Sequence, residues 1–201
     1  MHIRSIFFLL VITNALFSCK SNQTEELPYL GIPTEENQKP QIPSFSFTDQ
    51  LNRPTTEATF KEKIYIADFF FTSCPTICPK VTAQMLRIYK EFEQNPEVAY
   101  LSHSVDTRHD SVPRLKQYAD KLNIDHDKWH FVTGKKEDIF SISKNYMSIV
   151  LEDPDAPGGY DHSGYIILVD KDRHIRAYCN GTDPADVDKF IDKIKVLLKA
   201  G

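Results

Sequence analysis

Ile64-Tyr65-Ile66-Ala67-Asp68-Phe69-Phe70-Phe71-Thr72-Ser73-Cys74-Pro75-Thr76-Ile77-Cys78-Pro79 decides the fold of this chain. The run 64–71 is apolar except for Asp68, as expected of a strand covered on both faces. Two cysteines follow it, and then Val81, Met85, Ile88, Tyr89 and Phe92 recur at helical spacing. Pro79 suits the first position of that helix, where a missing N–H costs nothing. Each cysteine precedes a proline, which steers it away from helical dihedrals. The pair therefore belongs to a strand-to-helix turn and the helix cap. Such a turn aims backbone N–H groups and the positive end of the helix dipole at whatever it holds. Thiolate is the reactive and metal-binding form of cysteine, and a helix N-terminus favours it. Cys74 and Cys78 are placed either for thiol–disulfide chemistry or for a soft metal.

Further along, residues 98–105 read as a second strand. Asp110 or Ser111 caps a helix with Pro113 in its first turn and Leu115, Tyr118, Ala119 and Leu122 on its apolar face,. Residues 129–132 form a short strand, and a helix follows around Ile139, Ile142 and Tyr146. Residues 165–169 and 175–178 flank the turn Asp170-Lys171-Asp172-Arg173, a hairpin signal,. A last helix has Asp183 as N-cap, Pro184 at its first position, and Val187, Phe190, Ile191, Ile194, Leu197 and Leu198 on one face. Strand, helix, strand, helix, hairpin and helix predict an α/β protein with a central mixed sheet covered on both sides. With the cysteines at the end of the first long strand, the order matches a thioredoxin-like domain.

The N-terminus speaks to compartment. Met1-His2-Ile3-Arg4 is basic, and the apolar segment 6–17 follows. At about 12 residues that segment falls short of the roughly 20 needed to cross a bilayer. It reads as a cleaved export signal over residues 1–18, with Cys19 placed as the lipidated first residue of the mature chain,. Residues 19–43 are polar and poor in large apolar side chains, and are expected to form a flexible tether. The remaining residues, 44–201, make one domain of ordinary size,. A hydrophobic content of 41% is enough for a core. A formal charge of −4 and no basic stripe argue against nucleic acid as a partner,. In an exported protein a close cysteine pair is oxidised unless something reduces or metallates it.

A metal needs more ligands than two thiols. His103, His109, His126, His130 and His174 each read as solvated or packed histidines. His162 differs, because it sits in Gly158-Gly159-Tyr160-Asp161-His162-Ser163-Gly164, a glycine-rich loop that enters the strand 165–169. In a thioredoxin-like sheet, that loop lies beside the cysteine turn. Two thiolates and an imidazole make a soft set suited to Cu(I), with the imidazole adding tolerance for Cu(II). A structural zinc wants four closed protein ligands, and no fourth is evident. Asp161 is placed either to fix the tautomer of His162 from outside the ligand set or as a plain surface acid. Cys179, in Ala177-Tyr178-Cys179-Asn180-Gly181, reads as a small packed residue of the outer hairpin strand,.

Cys74-Pro75-Thr76-Ile77-Cys78-Pro79, followed far downstream by Asp161-His162-Ser163, resembles the Sco/SenC family. Its members are membrane-tethered, thioredoxin-like copper proteins involved in assembling the CuA centre of cytochrome c oxidase. The resemblance runs from about residue 45 to the C-terminus, and the N-terminal anchor fits it. It implies copper held by Cys74, Cys78 and His162. It also implies a periplasm-facing lipoprotein whose partner is the oxidase subunit carrying CuA or another cuproprotein. The stretch 105–112, Val-Asp-Thr-Arg-His-Asp-Ser-Val, resembles the family's Asp-Pro-x-Arg-Asp-Thr-Pro segment, with Thr107 for its proline, His109 for its arginine and Ser111 for its threonine. The family usually has an acid where Thr76 stands and often a histidine where Ser73 stands. Losing that acid removes a charge near the site but no metal ligand.

Two functions remain in view. One is a copper metallochaperone that hands the metal on by ligand exchange. The other is a thiol–disulfide oxidoreductase in which one cysteine attacks and the other resolves, reducing cysteines of a partner cuproprotein. Peroxide reduction is a weaker third. A dithiol enzyme has no need of an imidazole near its sulfurs, so His162 discriminates between them.

Overall fold

The computed structural model describes residues 26–33 and 38–200; the signal segment 1–18 and Cys19 lie outside the described residues. Nine strands and four helices are defined there, starting with β1 (Ser46–Asp49), β2 (Pro54–Thr56) and β3 (Ile64–Phe70). Helix α1 (Cys78–Glu91), β4 (Val98–Ser104), α2 (Val112–Leu122), β5 (Trp129–Thr133) and α3 (Lys136–Asn145) follow. The chain closes with β6 (Val150–Glu152), β7 (Tyr160–His162), β8 (Tyr165–Val169), β9 (Ile175–Asn180) and α4 (Pro184–Ala200).

Seven strands form one mixed sheet in the order β2-β1-β5-β4-β3-β8-β9, while β6 and β7 pair separately. β3 runs parallel to β4, with Ile64 opposite Val98 and Phe70 opposite Ser104, and antiparallel to β8, with Ala67 opposite Ile167. All seven residues of β3 are buried, which is why its sequence does not alternate. Its two faces meet different partners. Phe70 packs on Tyr118 of α2 and Phe131 of β5, whereas Phe69 stacks on His103 and meets Tyr146 just after α3. Helices on both faces and a mixed central sheet agree with the α/β, thioredoxin-like expectation.

The N-terminal segment corrects one expectation. An unstructured tether through residue 43 does not hold for the described part of it. Leu27 and Ile42 are buried in the core, and the Leu30 N–H donates to the Ile175 carbonyl at 2.9 Å. Arg176 of β9 donates to the carbonyls of Leu27 and Pro28 and pairs with Asp170 at 2.9 Å. Tyr29 lies between Lys39 Nζ and the Arg176 guanidinium, 3.7 and 4.1 Å from its ring centre. Three isolated apolar residues and one buried arginine thus strap an otherwise polar segment to the hairpin edge. No helix among the described residues is long and apolar enough to cross a membrane.

Candidate metal centre

The thiols sit where the carboxyl end of β3 turns into α1. Cys78 is the first residue of the helix, and Ile77 occupies its N-cap without a side chain able to accept. The sulfur of Cys74 takes that role, accepting the Cys78 N–H at 3.4 Å. A helix N-terminus so arranged favours an anion. Cys74 is half-buried and Cys78 buried, and both are free thiols here.

His162 comes from the other side. It ends β7, three residues before the start of β8, the strand that pairs with β3. Its Nε2 lies 3.4 Å from Sγ of Cys78 and 4.0 Å from Sγ of Cys74. The three donor atoms all fall within 4.8 Å of one another, the one such group of His, Cys, Asp or Glu side chains found among the described residues. The Phe71 ring lies 5.6 Å from that of His162 and 5.3 Å from that of Tyr160, walling the site. Gly158, at φ +85°, permits this closure, because a Cβ there would lie 2.7 Å from the Phe71 ring.

The two thiols differ electrostatically. Cys74 is held down to about 3, first by the hydrogen bond from the Cys78 thiol and then by those from His162 and the backbone N–H groups of Thr76 and Cys78. Cys78 is pushed well above the thiol range by donating to Cys74 and by burial. The pair therefore holds one proton, on Cys78, with the negative charge on Cys74. Two soft sulfurs and one imidazole nitrogen converging in a half-buried pocket fit a thiophilic ion such as copper.

Beside this centre lies a buried anchor that the sequence did not announce. Asp110, one of the two caps the sequence offers for α2, is fully buried instead. Its carboxylate accepts from the Thr72 N–H at 3.0 Å, the Thr72 hydroxyl at 2.5 Å and the Ser104 hydroxyl at 2.6 Å. Arg114 Nε caps the Thr72 hydroxyl oxygen at 2.6 Å. The turn that presents Cys74 is thereby tied to the end of β4. Ser111 is the N-cap of α2.

Asp161 is a second correction. Residues alternate along a strand, so His162 points inward and Asp161 is exposed. Nδ1 of His162 is buried without a hydrogen-bond partner among the described residues. Asp161 therefore does not fix the imidazole, and only its reading as a surface acid survives. The remaining histidines stand apart from the centre. His103 is buried against Phe69 and held neutral by burial, its value brought down to about 3. His130 faces Asp49, His126 lies between Gln50 and Asp120, His174 meets the Pro40 carbonyl, and His109 meets Asp106. Cys179 is packed in β9, with burial pushing its thiol up to about 12.

Comparison with known proteins follows the same line. The family model described as SCO1/SenC matches residues 33–199. The crystal structure of a SCO1/SenC family lipoprotein from Bacillus anthracis is 30% identical, with a TM-score of 0.72 over 79% of this chain and 95% of that one. BsSco, described as a Sco-family cytochrome c oxidase assembly protein with a disulfide switch, is 27% identical, with a TM-score of 0.69 over 84% of this chain and 98% of its own. Arabidopsis thaliana ScoI, solved with copper bound, shares the fold at 24% identity, with a TM-score of 0.67 over 79% of this chain and 98% of that one.

Proposed function

This chain belongs to the SCO1/SenC family, and from that premise we propose that it is a membrane-tethered copper carrier serving assembly of the CuA centre of cytochrome c oxidase. The observation that carries the reading is the convergence of Cys74, Cys78 and His162, whose donor atoms lie within 4.8 Å of one another. Copper is the cargo, held by two sulfurs and Nε2 of His162. Handover proceeds by ligand exchange. Cys74 is half-buried, while Cys78 and His162 are buried, so a recipient's ligand replaces Cys74, the most accessible of the three, first. The half-open mouth thus sets the order in which the bonds change. Lipidation of Cys19 would tether the domain on the periplasmic side, and the similarity to a lipoprotein from Bacillus anthracis supports the lipid anchor.

One observation favours a second reading. The unequal thiols, Cys74 held as thiolate and Cys78 as thiol, suit a dithiol reductase. The Cys74 thiolate would attack a partner disulfide and release one partner thiolate. Cys78, losing its proton, would then displace the second partner sulfur. Two electrons pass to the partner and a Cys74–Cys78 disulfide remains.

Copper stoichiometry and the visible spectrum of the reduced, reconstituted domain decide between the two. One equivalent per chain, with thiolate-to-Cu(II) charge-transfer bands lost in Cys74→Ala and in His162→Ala, establishes the carrier. No retained copper, together with a disulfide that exchanges readily with a thiol partner, establishes the reductase. His162→Ala should abolish tight Cu(II) binding yet leave the dithiol oxidisable; unchanged Cu(II) affinity would remove His162 from the ligand set.

A further inference from the structure

The hairpin that delivers His162 has a second face. In its register Val150 stands opposite His162 and Leu151 opposite Asp161. Paired residues share a face, and neighbours alternate. Val150 and His162 point inward, whereas Leu151 is 56% exposed and Asp161 is exposed beside it. Ile149, 59% exposed, continues the outward row, its carbonyl accepting the Ser163 N–H at 3.0 Å. Met147 comes two residues earlier and is also exposed; it lines a cavity of about 150 Å³ with Tyr165 and Tyr178. Those two rings are themselves exposed and meet at 5.3 Å.

Large apolar side chains at alternate positions normally face a core, and polar ones face water. Here Ile149 and Leu151 face water instead, and exposed apolar side chains set beside acids mark an interaction site,. The rim is predominantly acidic. Residues 145–164 contain Glu152, Asp153, Asp155 and Asp161 but no lysine or arginine. Arg108 and Lys136 reach the hairpin, and both pair with Glu152. Asp153, Asp155 and Asp161 have no ion-pair partner among the described residues.

We propose that the outward face of β6–β7 is a docking surface for a partner protein that presents an apolar spot ringed by lysine or arginine side chains. Charge separates this partner from the other occupants. An anionic lipid surface would be repelled by the acids, and a second copy would set two acidic rims against each other in a two-fold contact. The location gives the surface its use. A partner seated on Ile149, Leu151 and Asp161 sits on the opposite face of the strand that carries His162, whose Nε2 is 4.0 Å from Sγ of Cys74. Only the use in copper transfer rests on the carrier reading; the surface itself does not.

The test places the photo-crosslinking residue p-benzoylphenylalanine at position 151 of the full chain, in the cells that make it, with position 121 on α2 as the control. The expected result is a protein adduct at 151 and not at 121, identified by mass spectrometry as an exported protein with a basic surface. Its yield should fall at least roughly fivefold in an Asp153→Lys/Asp161→Lys background, because opposite charges steer the encounter. No adduct, an adduct with lipid or with a second copy, or a yield indifferent to the charge reversal would overturn the proposal. An identified partner that is not a cuproprotein would keep the docking surface and remove the copper-carrier reading, so the two failures are distinct. Ile149→Ser/Leu151→Ser, at exposed positions, should leave copper stoichiometry and thermal midpoint unchanged while weakening the crosslink from position 161 by a similar factor.

Discussion

Sγ of Cys78 lies 3.4 Å from Nε2 of His162, although 84 residues separate them in the chain. Sheet topology closes the gap. Cys78 begins the helix that leaves β3, and His162 precedes the strand that pairs with β3 from the other side. Neither residue acts locally. The centre exists only when the sheet is formed, so loss of the fold is loss of the site.

The unequal thiols give the first prediction. Cys74 is held down to about 3 and Cys78 well above the thiol range. In reduced, metal-free protein, iodoacetamide should modify Cys74 at a rate that stays nearly flat from pH 8 down to about pH 5. A free thiol would lose reactivity below its value of about 8.5. Mass spectrometry of the alkylated peptide reads the profile. A midpoint between pH 8 and 9 would show that neither the helix N-terminus nor the neighbouring thiol holds the thiolate.

The Asp110 anchor gives the second. Asp110→Ala strands the Thr72 N–H and the Thr72 and Ser104 hydroxyls. Removing one partner of a buried hydrogen bond costs about 1–3 kcal/mol, and these donors act together, so a loss of roughly 3 kcal/mol is expected. Urea unfolding should show it as a lower midpoint at unchanged slope. Thr72→Val, which keeps the backbone N–H bond, should cost about half as much. Equal costs for the two variants would mean that the hydroxyl network carries the whole effect.

Much of this was legible in the sequence, and for identifiable reasons. The uninterrupted apolar run before Cys74 and the helical spacing after Pro79 are signals of burial, and burial is what the sheet supplies. The hairpin around residues 170–173 and the last helix carried their own turn and cap residues. The ligand trio needed the topology as well as the spacing, because His162 earns its place only from the strand beside β3. What escaped was short or isolated. β1, β2 and β6 have 4, 3 and 3 residues, too few to show a period. Leu27, Leu30 and Ile42 are single apolar residues in polar surroundings, and no window average registers them. Asp110 looked like a cap because aspartate before a helix usually is one; its burial depends on Thr72, 38 residues away. Adjacency to His162 leaves both readings of Asp161 open in the sequence, whereas strand alternation sends adjacent side chains to opposite faces.

Cys179 gives the third prediction. It is packed in β9 against the core, and burial pushes its thiol up to about 12. Cys179→Ser should retain full copper stoichiometry and cost about 1–2 kcal/mol, because a hydroxyl is buried where a sulfur was. Colorimetric thiol titration of the native protein should count Cys74 first and leave Cys179 until unfolding. Loss of copper in this variant would make Cys179 a ligand and break the trio described above.

Asp68, the one polar residue in β3, gives the fourth. Burial raises its carboxyl to about 6, against the model-peptide value of 3.8, and the hydrogen bond from Ser102 at 2.5 Å only partly offsets this. Its folded-state value is raised, so the native state keeps the proton over a range where the unfolded chain has lost it. Folding is therefore favoured by acid in this range, and the contribution disappears as pH climbs from about 4 to above 6. The linked change is roughly 3 kcal/mol, from about 1.4 kcal/mol per unit. Asp68→Asn keeps an oxygen to accept from Ser102 and removes the titration. The difference in stability between Asp68→Asn and the parent, both reduced and metal-free, should grow in favour of the variant between pH 4 and 7. A difference that stays constant with pH would mean that Asp68 titrates in the fold as it does in the open chain, with water reaching the carboxylate beneath the metal centre.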